Sequence, residues 1–205
     1  MQSGSVESRH TQSRIVAPCC LVIASGPSLT AEDVVVWSVG RRVYAVNDTY
    51  KLCPDPDVLY ACDEQWWGVH DTATRHIAQR WTTDEQAATK YNLNHIPGQH
   101  SGSARQYFDA SGNGIVYGGN SGFQALNLAY AQGCRDAVLL GFDMGQDSPD
   151  GPSHFFGDHP PACDNPRPYR MWLDHWQRAA PEIAAAGMRV RNATRGGSLN
   201  CFERV

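Results

Sequence analysis

The sequence has no apolar run approaching the roughly 18 residues that a membrane helix needs, and Met1 to Arg14 contain no apolar stretch of the kind that directs secretion. These absences predict a cytoplasmic chain with no membrane span. No C-x-x-C pair occurs among the seven cysteines, at positions 19, 20, 53, 62, 134, 163 and 201, so neither a zinc site nor a thiol-exchange site is spelled out. Most of them read as small core residues. Positive charge is not in excess either, since 17 Lys and Arg stand against 21 Asp and Glu for a net charge of −4. That field opposes nonspecific adhesion to nucleic acid or anionic lipid and leaves room only for a local basic groove. Walker A and G-x-G-x-x-G sequences are both missing, which disfavours a P-loop ATPase and a dinucleotide dehydrogenase.

What is present suits one globular domain: 205 residues, 41% hydrophobic and 10% aromatic. Residues 1–14 are rich in Ser and Gln without periodicity and read as a disordered tail, ahead of a nucleotide-binding α/β domain over 15–205. Apolar runs at 19–25, 42–47, 57–62, 114–118, 136–142 and 188–192 read as buried strands. Helical stretches at 28–38, 64–79, 120–132 and 168–186 alternate with them, which predicts a mostly parallel sheet with helices on both faces. The long connections 97–113 and 143–167 exceed what a plain connector requires.

A parallel sheet binds ligands beyond the carboxyl ends of its strands. Here those ends read Ser25-Gly26-Pro27-Ser28, Asn47-Asp48, Asp63-Glu64, Gly118-Gly119-Asn120-Ser121-Gly122 and Gly141-Phe142-Asp143. Gly26 and Ser28 at a strand-to-helix turn would let backbone N–H groups approach an anion, and the turn at Gly119 to Gly122 repeats the device. Helix caps and turn formers explain either turn taken alone. Asp48, Asp63 and Asp143 can each hold a ribose hydroxyl, a sugar or a cation, so Mg²⁺ is allowed. A solvated turn carboxylate is the plain alternative.

The densest cluster is Ser153-His154-Phe155-Phe156-Gly157-Asp158-His159-Pro160. His159, or failing that His154, fits a general base because an unperturbed imidazole titrates near neutral pH. A metal site and a loop anchored by its phenylalanines are the other readings. Arg170 fits an anion clamp. Of Trp66 and Trp67 one belongs in the core, and Trp67 is assigned to stack on a base or sugar. Arg195 with Ser198 would complete the phosphate end of the crevice, unless that segment is simply a surface turn.

The order Gly26-Pro27-Ser28-Leu29, a strand ending in Asn47, a strand ending in Asp63, Asn120-Ser121-Gly122 opening a helix, then Leu140-Gly141-Phe142-Asp143 resembles bacterial CMP-dependent sialyltransferases. It also resembles a wider group that shares the Gly-Pro-Ser-Leu start and includes an archaeal hydroxymethylpterin pyrophosphokinase. Short bacteriophage proteins carrying Asn-Ser-Gly, Gly-(Phe or Tyr)-Asp-Met and Gly-Asp-His-Pro in that order are similar as well. Gly197-Ser198-Leu199 looks like the sialyltransferases' C-terminal Asn-Ser-Leu turn.

Over residues 20–200 the resemblance implies a Rossmann-like fold, with Gly26, Pro27 and Ser28 beside a nucleotide phosphate and Asn47 on the nucleotide or donor sugar. Ser121 and Gly122 would hold ribose or base, and His154 or His159 would stand near the catalytic base. The sialyltransferases carry Asn-Pro where this chain has Asp63-Glu64, and they lack Trp66-Trp67 and Gly-Asp-His-Pro, so donor and acceptor stay open. Expected above all is glycosyl transfer from a nucleotide-sugar. Mg²⁺-dependent pyrophosphoryl or phosphoryl transfer from ATP, with Asp63 and Asp143 on the metal, is the second reading, and a nucleotide-sequestering protein is the third.

Overall fold

The computed structural model describes residues 19–101, 106–145, 151–157, 159 and 167–205. The tail expected over 1–14, together with Asp158 and Pro160, lies outside the described residues. In chain order the elements are β1 (Cys19–Ile23), α1 (Ala31–Ser38), β2 (Arg42–Val46), a 3₁₀ turn (Asn47–Lys51), β3 (Val58–Tyr60), α2 (Glu64–Thr74), β4 (Arg80–Thr82), α3 (Glu85–Tyr91) and β5 (Asn94–His95). There follow β6 (Gly98–Gln99), β7 (Ile115–Val116), α4 (Ser121–Ala131), β8 (Asp136–Leu140), α5 (Tyr169–Ala185), β9 (Arg189–Asn192) and β10 (Glu203–Arg204).

Eight strands form one sheet in the order β10-β9-β8-β1-β2-β3-β4-β5, and every neighbouring pair is parallel. Its central strands bury both faces, which is why they appear in the sequence as unbroken apolar runs. Cys20, Val22, Tyr44 and Leu139 point to the face covered by α4 and α5, where they pack with Phe123, Leu126, Trp176 and Ile183. Leu21, Ile23, Val43, Val138 and Leu140 face the other way and meet Leu29 and Val34 of the α1 segment. Farther along that face, Ala45, Leu59 and Ala61 meet Trp66, Trp67, Ile77 and Ala87 of the α2 and α3 layer. Each fully buried side chain of this size contributes about 1.5–3 kcal/mol.

Topology sets the position of the crevice. The chain runs outward from β1 to β5, then returns to lay β8 against the other side of β1. Connections leave these two strands in opposite directions, which places a crevice beyond their carboxyl ends.

The strand expected over 114–118 is β7, which pairs with β6 in a separate two-stranded sheet. Its main-sheet neighbour is replaced by a side chain: Asn127 on α4 accepts from the N–H groups of Asp109 (3.1 Å) and Val116 (3.0 Å) and donates to Asp109 O (2.9 Å). Strands β4, β5 and β10 and helix α3 were not expected. They are short and polar, and α3 buries only Ala87. It is nonetheless well capped, with Asp84 accepting from Ala87 N–H at 2.8 Å and Asn92 closing it in the left-handed region.

Cys20 and Cys134 pair within the core, linking β1 to the turn after α4 with Cα atoms 6.3 Å apart. Cys19, Cys53, Cys62 and Cys201 are only partly buried, which corrects the expectation of mostly core cysteines. No helix among the described residues is long and apolar enough to cross a membrane.

Candidate functional site

A cavity of about 390 Å³ lies beyond the carboxyl ends of β1 and β8. Its lining includes Ser25, Gly26, Asn47, Asp63, Gly119, Asn120, Ser121, Gly122, Asp143, His154 and His159, drawn from five strand ends and the loop after β8. Cys62, Trp66, Gln124, Phe142, Met144, Arg167, Tyr169 and Trp172 complete the wall. The volume falls in the range of small-molecule sites.

The turn after β1 is closed by its own neighbours. Ala24 N–H donates to Leu140 O at 2.8 Å and Gly26 N–H to Gly141 O at 2.9 Å, so β1 stays laced to β8 past its formal end. Ser28 N–H donates to Asp143 Oδ1 at 3.3 Å. A Cβ on Gly26 would collide with the Asp143 carboxylate and stand 2.5 Å from Gly141 O, so only glycine fits. The expected phosphate cradle at Gly26 to Ser28 is therefore occupied by protein, and Pro27 has no N–H to offer. Pro27 and Ser28 do not line the cavity.

The turn before α4 is different. Asn120 caps the helix by accepting from Phe123 N–H at 2.9 Å, which fixes its Oδ1 and leaves Nδ2 as the free end of the amide. That Nδ2 is buried and has no partner among the described residues. Among the described residues nothing accepts the N–H groups of Ser121 and Gly122, two of the donors that an α-helix cannot satisfy internally. Trp172 Nε1, packed against Gly119, is a further buried donor without an acceptor among the described residues. Across the cavity Asn47 stands at φ 51 in the left-handed region, and its Oδ1 is buried without a donor. Buried polar atoms in folded chains are nearly always paired, so this group of orphans singles out the cavity as the candidate site.

Asp63 is the N-cap residue of α2, yet its side chain makes no capping bond. Its carboxylate, half-buried, faces the cavity instead. Beside it Cys62 is pushed up to about 12 by burial and by the Asp63 charge, so it stays a thiol, with Sγ 3.1 Å from Ser121 Oγ. Asp143 is 5% exposed and holds the floor together, since its backbone O accepts from Ser198 N–H at 2.8 Å.

His154 and His159 meet over the β1 end with ring centroids 4.6 Å apart. His154 Nδ1 lies 3.2 Å from Ser25 Oγ, and its ring stacks on Phe156 at an interplanar angle of 5°. Burial, reinforced by His159 and Arg167, pushes it down to about 4, so it is neutral at physiological pH. The segment is clipped to β1 by Phe155 N–H donating to Ser25 O at 3.2 Å, while the Phe155 ring packs on the α1 cluster. The anchoring expected of these phenylalanines and the presence of two imidazoles in the site therefore hold together.

Several assigned residues sit elsewhere. Trp67 is fully buried and donates its indole N–H to Ala61 O at 3.1 Å, so Trp66 supplies the cavity wall instead. Helical spacing explains the exchange: the pair points in directions about 100° apart. Arg170 is exposed on α5, and Arg167, one turn earlier, lines the cavity. Arg195 pairs with Asp33 at 2.5 Å on the surface. Neither it nor Ser198 reaches the cavity. Asp48 is 2% exposed and lies beneath the lining rather than in it. Among the described residues no group of three or more His, Cys, Asp or Glu is arranged to hold a metal ion. Asp63 and Asp143 remain as two carboxylates on the wall.

No known family model matches this chain, and no curated protein or solved structure matches it either.

Proposed function

We propose that the cavity binds a nucleotide or nucleotide-sugar and that the chain is a group-transfer enzyme, with glycosyl transfer as the first assignment. The observation that carries this reading is the set of unpaired polar atoms, Asn47 Oδ1, Asn120 Nδ2 and Trp172 Nε1, around the same cavity as two imidazoles. The first turn of α4 suits the anionic leaving group, because its open N–H groups and dipole favour negative charge. His159 takes the proton of the acceptor hydroxyl as that oxygen bonds to the anomeric carbon. The bond from that carbon to the phosphate oxygen breaks, and its electron pair leaves on the nucleotide, stabilised by the α4 donors. Asp63 faces the sugar or ribose.

A second reading is favoured by the presence of two carboxylates, Asp63 and Asp143, on the cavity wall. Those two residues would hold Mg²⁺ for transfer from ATP, since phosphate-bound Mg²⁺ commonly uses one or two carboxylates.

Thermal shifts with CMP, UMP, ATP and common nucleotide-sugars, each with and without Mg²⁺, test both. Stabilisation by a nucleotide-sugar without Mg²⁺, followed by turnover, supports the first reading; Mg²⁺-dependent stabilisation by ATP supports the second. No shift with any of them ends the nucleotide reading. With a substrate in hand, His159→Gln is expected to lower kcat about 10²-fold at saturating ligand with little change in Tm.

A further inference from the structure

We propose that Asp48 is the positioning carboxylate of His159. It holds Nδ1 of that imidazole toward the interior, and it balances the charge that the ring gains on taking a proton. This rests on the group-transfer reading and adds to it a residue that touches no ligand.

Each oxygen of Asp48 is held in place. Oδ2 accepts from Trp66 Nε1–H at 2.9 Å and faces His159 Nδ1 at 3.8 Å. Oδ1 meets Lys51 Nζ at 2.6 Å and faces His70 Nε2 at 3.7 Å. Trp66 stacks on His70 with ring centroids 4.4 Å apart, and His70 Nδ1 lies 3.0 Å from the Tyr50 hydroxyl, so the layer behind the carboxylate is fixed. Burial works to raise the Asp48 pKa, but the contacts with Lys51 and Trp66 outweigh it and hold the carboxyl below its ordinary value.

The two cavity imidazoles thereby differ in kind. The groups around them are Asp48 and Lys51 from the 3₁₀ turn, His70 from α2, and Arg167 ahead of α5. Among the described residues Asp48 supplies the negative charge of this set, it faces His159, and its Lys51 partner is 46% exposed and open to screening by salt. His154 has a hydroxyl as its partner and stays neutral. His154 is held neutral by its surroundings, which leaves the proton-carrying role to His159. His159 carries the proton, and His154 orients what is bound. The 3.8 Å separation is an ion-pair distance, and catalytic contacts of this kind often tighten only when ligand binds.

The test is a histidine ¹⁵N NMR titration of the full chain, compared with Asp48→Asn and Lys51→Met. In Asp48→Asn the His159 pKa is expected to fall by about one unit, with its preference for Nδ1–H lost. Lys51→Met is expected to raise it, because the carboxylate is then less neutralised. An unchanged His159 titration and tautomer in folded Asp48→Asn overturns the proposal; if that variant does not fold, absence of the upward shift in Lys51→Met overturns it. Neither readout needs a substrate, so failure here is distinct from a ligand panel that finds no nucleotide. With turnover available, Asp48→Asn is expected to move the acid limb of the kcat/KM profile to lower pH by the same amount while KM changes little.

Discussion

Ser25–Ser28 and Gly118–Gly122 are both Gly/Ser turns that lead toward helices, and parts of both line one cavity. In the first, the N–H groups of Gly26 and Ser28 are taken by Gly141 and Asp143. In the second, those of Ser121 and Gly122 meet no described acceptor, and Asn120 adds a buried donor. The difference comes from the neighbours. β8 runs alongside β1 and its turn folds back onto the β1 end, whereas the first turn of α4, though buried, lines the cavity. Glycine is required by close packing at both turns, against Asp143 and Gly141 in the first and against Phe123, Trp172 and Phe142 in the second, so what separates them is whether the backbone N–H groups are already taken.

The largest effect expected from this contrast is on stability. Gly26→Ala drives a methyl into Asp143 and is expected to cost about 3 kcal/mol in urea unfolding, well beyond an ordinary surface change. A cost below about 1 kcal/mol would show that the first turn is not closed in this way.

Acid should loosen the same turn next. His154, clipped to Ser25, has its pKa lowered from 6.5 to about 4, so below pH 6.5 the unfolded chain binds protons that the folded chain refuses. Stability from this group is complete above pH 6.5 and is lost as pH falls toward 4. His154→Gln is expected to remove about 2 kcal/mol of that pH dependence, read as the difference between the two urea-midpoint curves.

A smaller effect separates binding from folding. Asn120→Asp keeps the α4 cap but replaces the Nδ2 donor with a negative oxygen. Affinity for whichever nucleotide stabilises the wild type is expected to fall about tenfold with Tm nearly unchanged. Smallest of all, Ser28→Ala is expected to alter that affinity less than about twofold, because the backbone N–H that it retains is already bonded to Asp143. A large loss would return the phosphate to the first turn.

The parts of the fold legible in the sequence are those in which composition and burial coincide. CCLVI, RVYAV and DAVLL are buried on both faces and sit next to one another in the centre of the sheet. Helix α4 is apolar around most of its circumference because it lies between the sheet and α5. Short polar pairs such as Asn94-His95 become strands only through their neighbours, so nothing local marks them.

The site divides along the same line. Gly119 to Gly122, Asn47, Asp63 and both histidines are residue types suited to a crevice, and the sheet edge brings them together. What distinguishes Trp66 from Trp67, or Arg167 from Arg170, is the phase of a helix and where it begins. What closes the first turn is Asp143, more than a hundred residues away, and no local pattern announces that contact.

The two rims of the large sheet have a consequence of their own. β5 and β10 are each two residues long, and their side chains, Asn94 and His95 on one rim and Glu203 and Arg204 on the other, are exposed and polar or charged. A longer apolar rim would be a template on which further chains could add strands. Here an incoming strand gains few backbone bonds and must approach charge at one rim and amide and imidazole at the other, so brevity and polarity make both rims poor templates for strand addition.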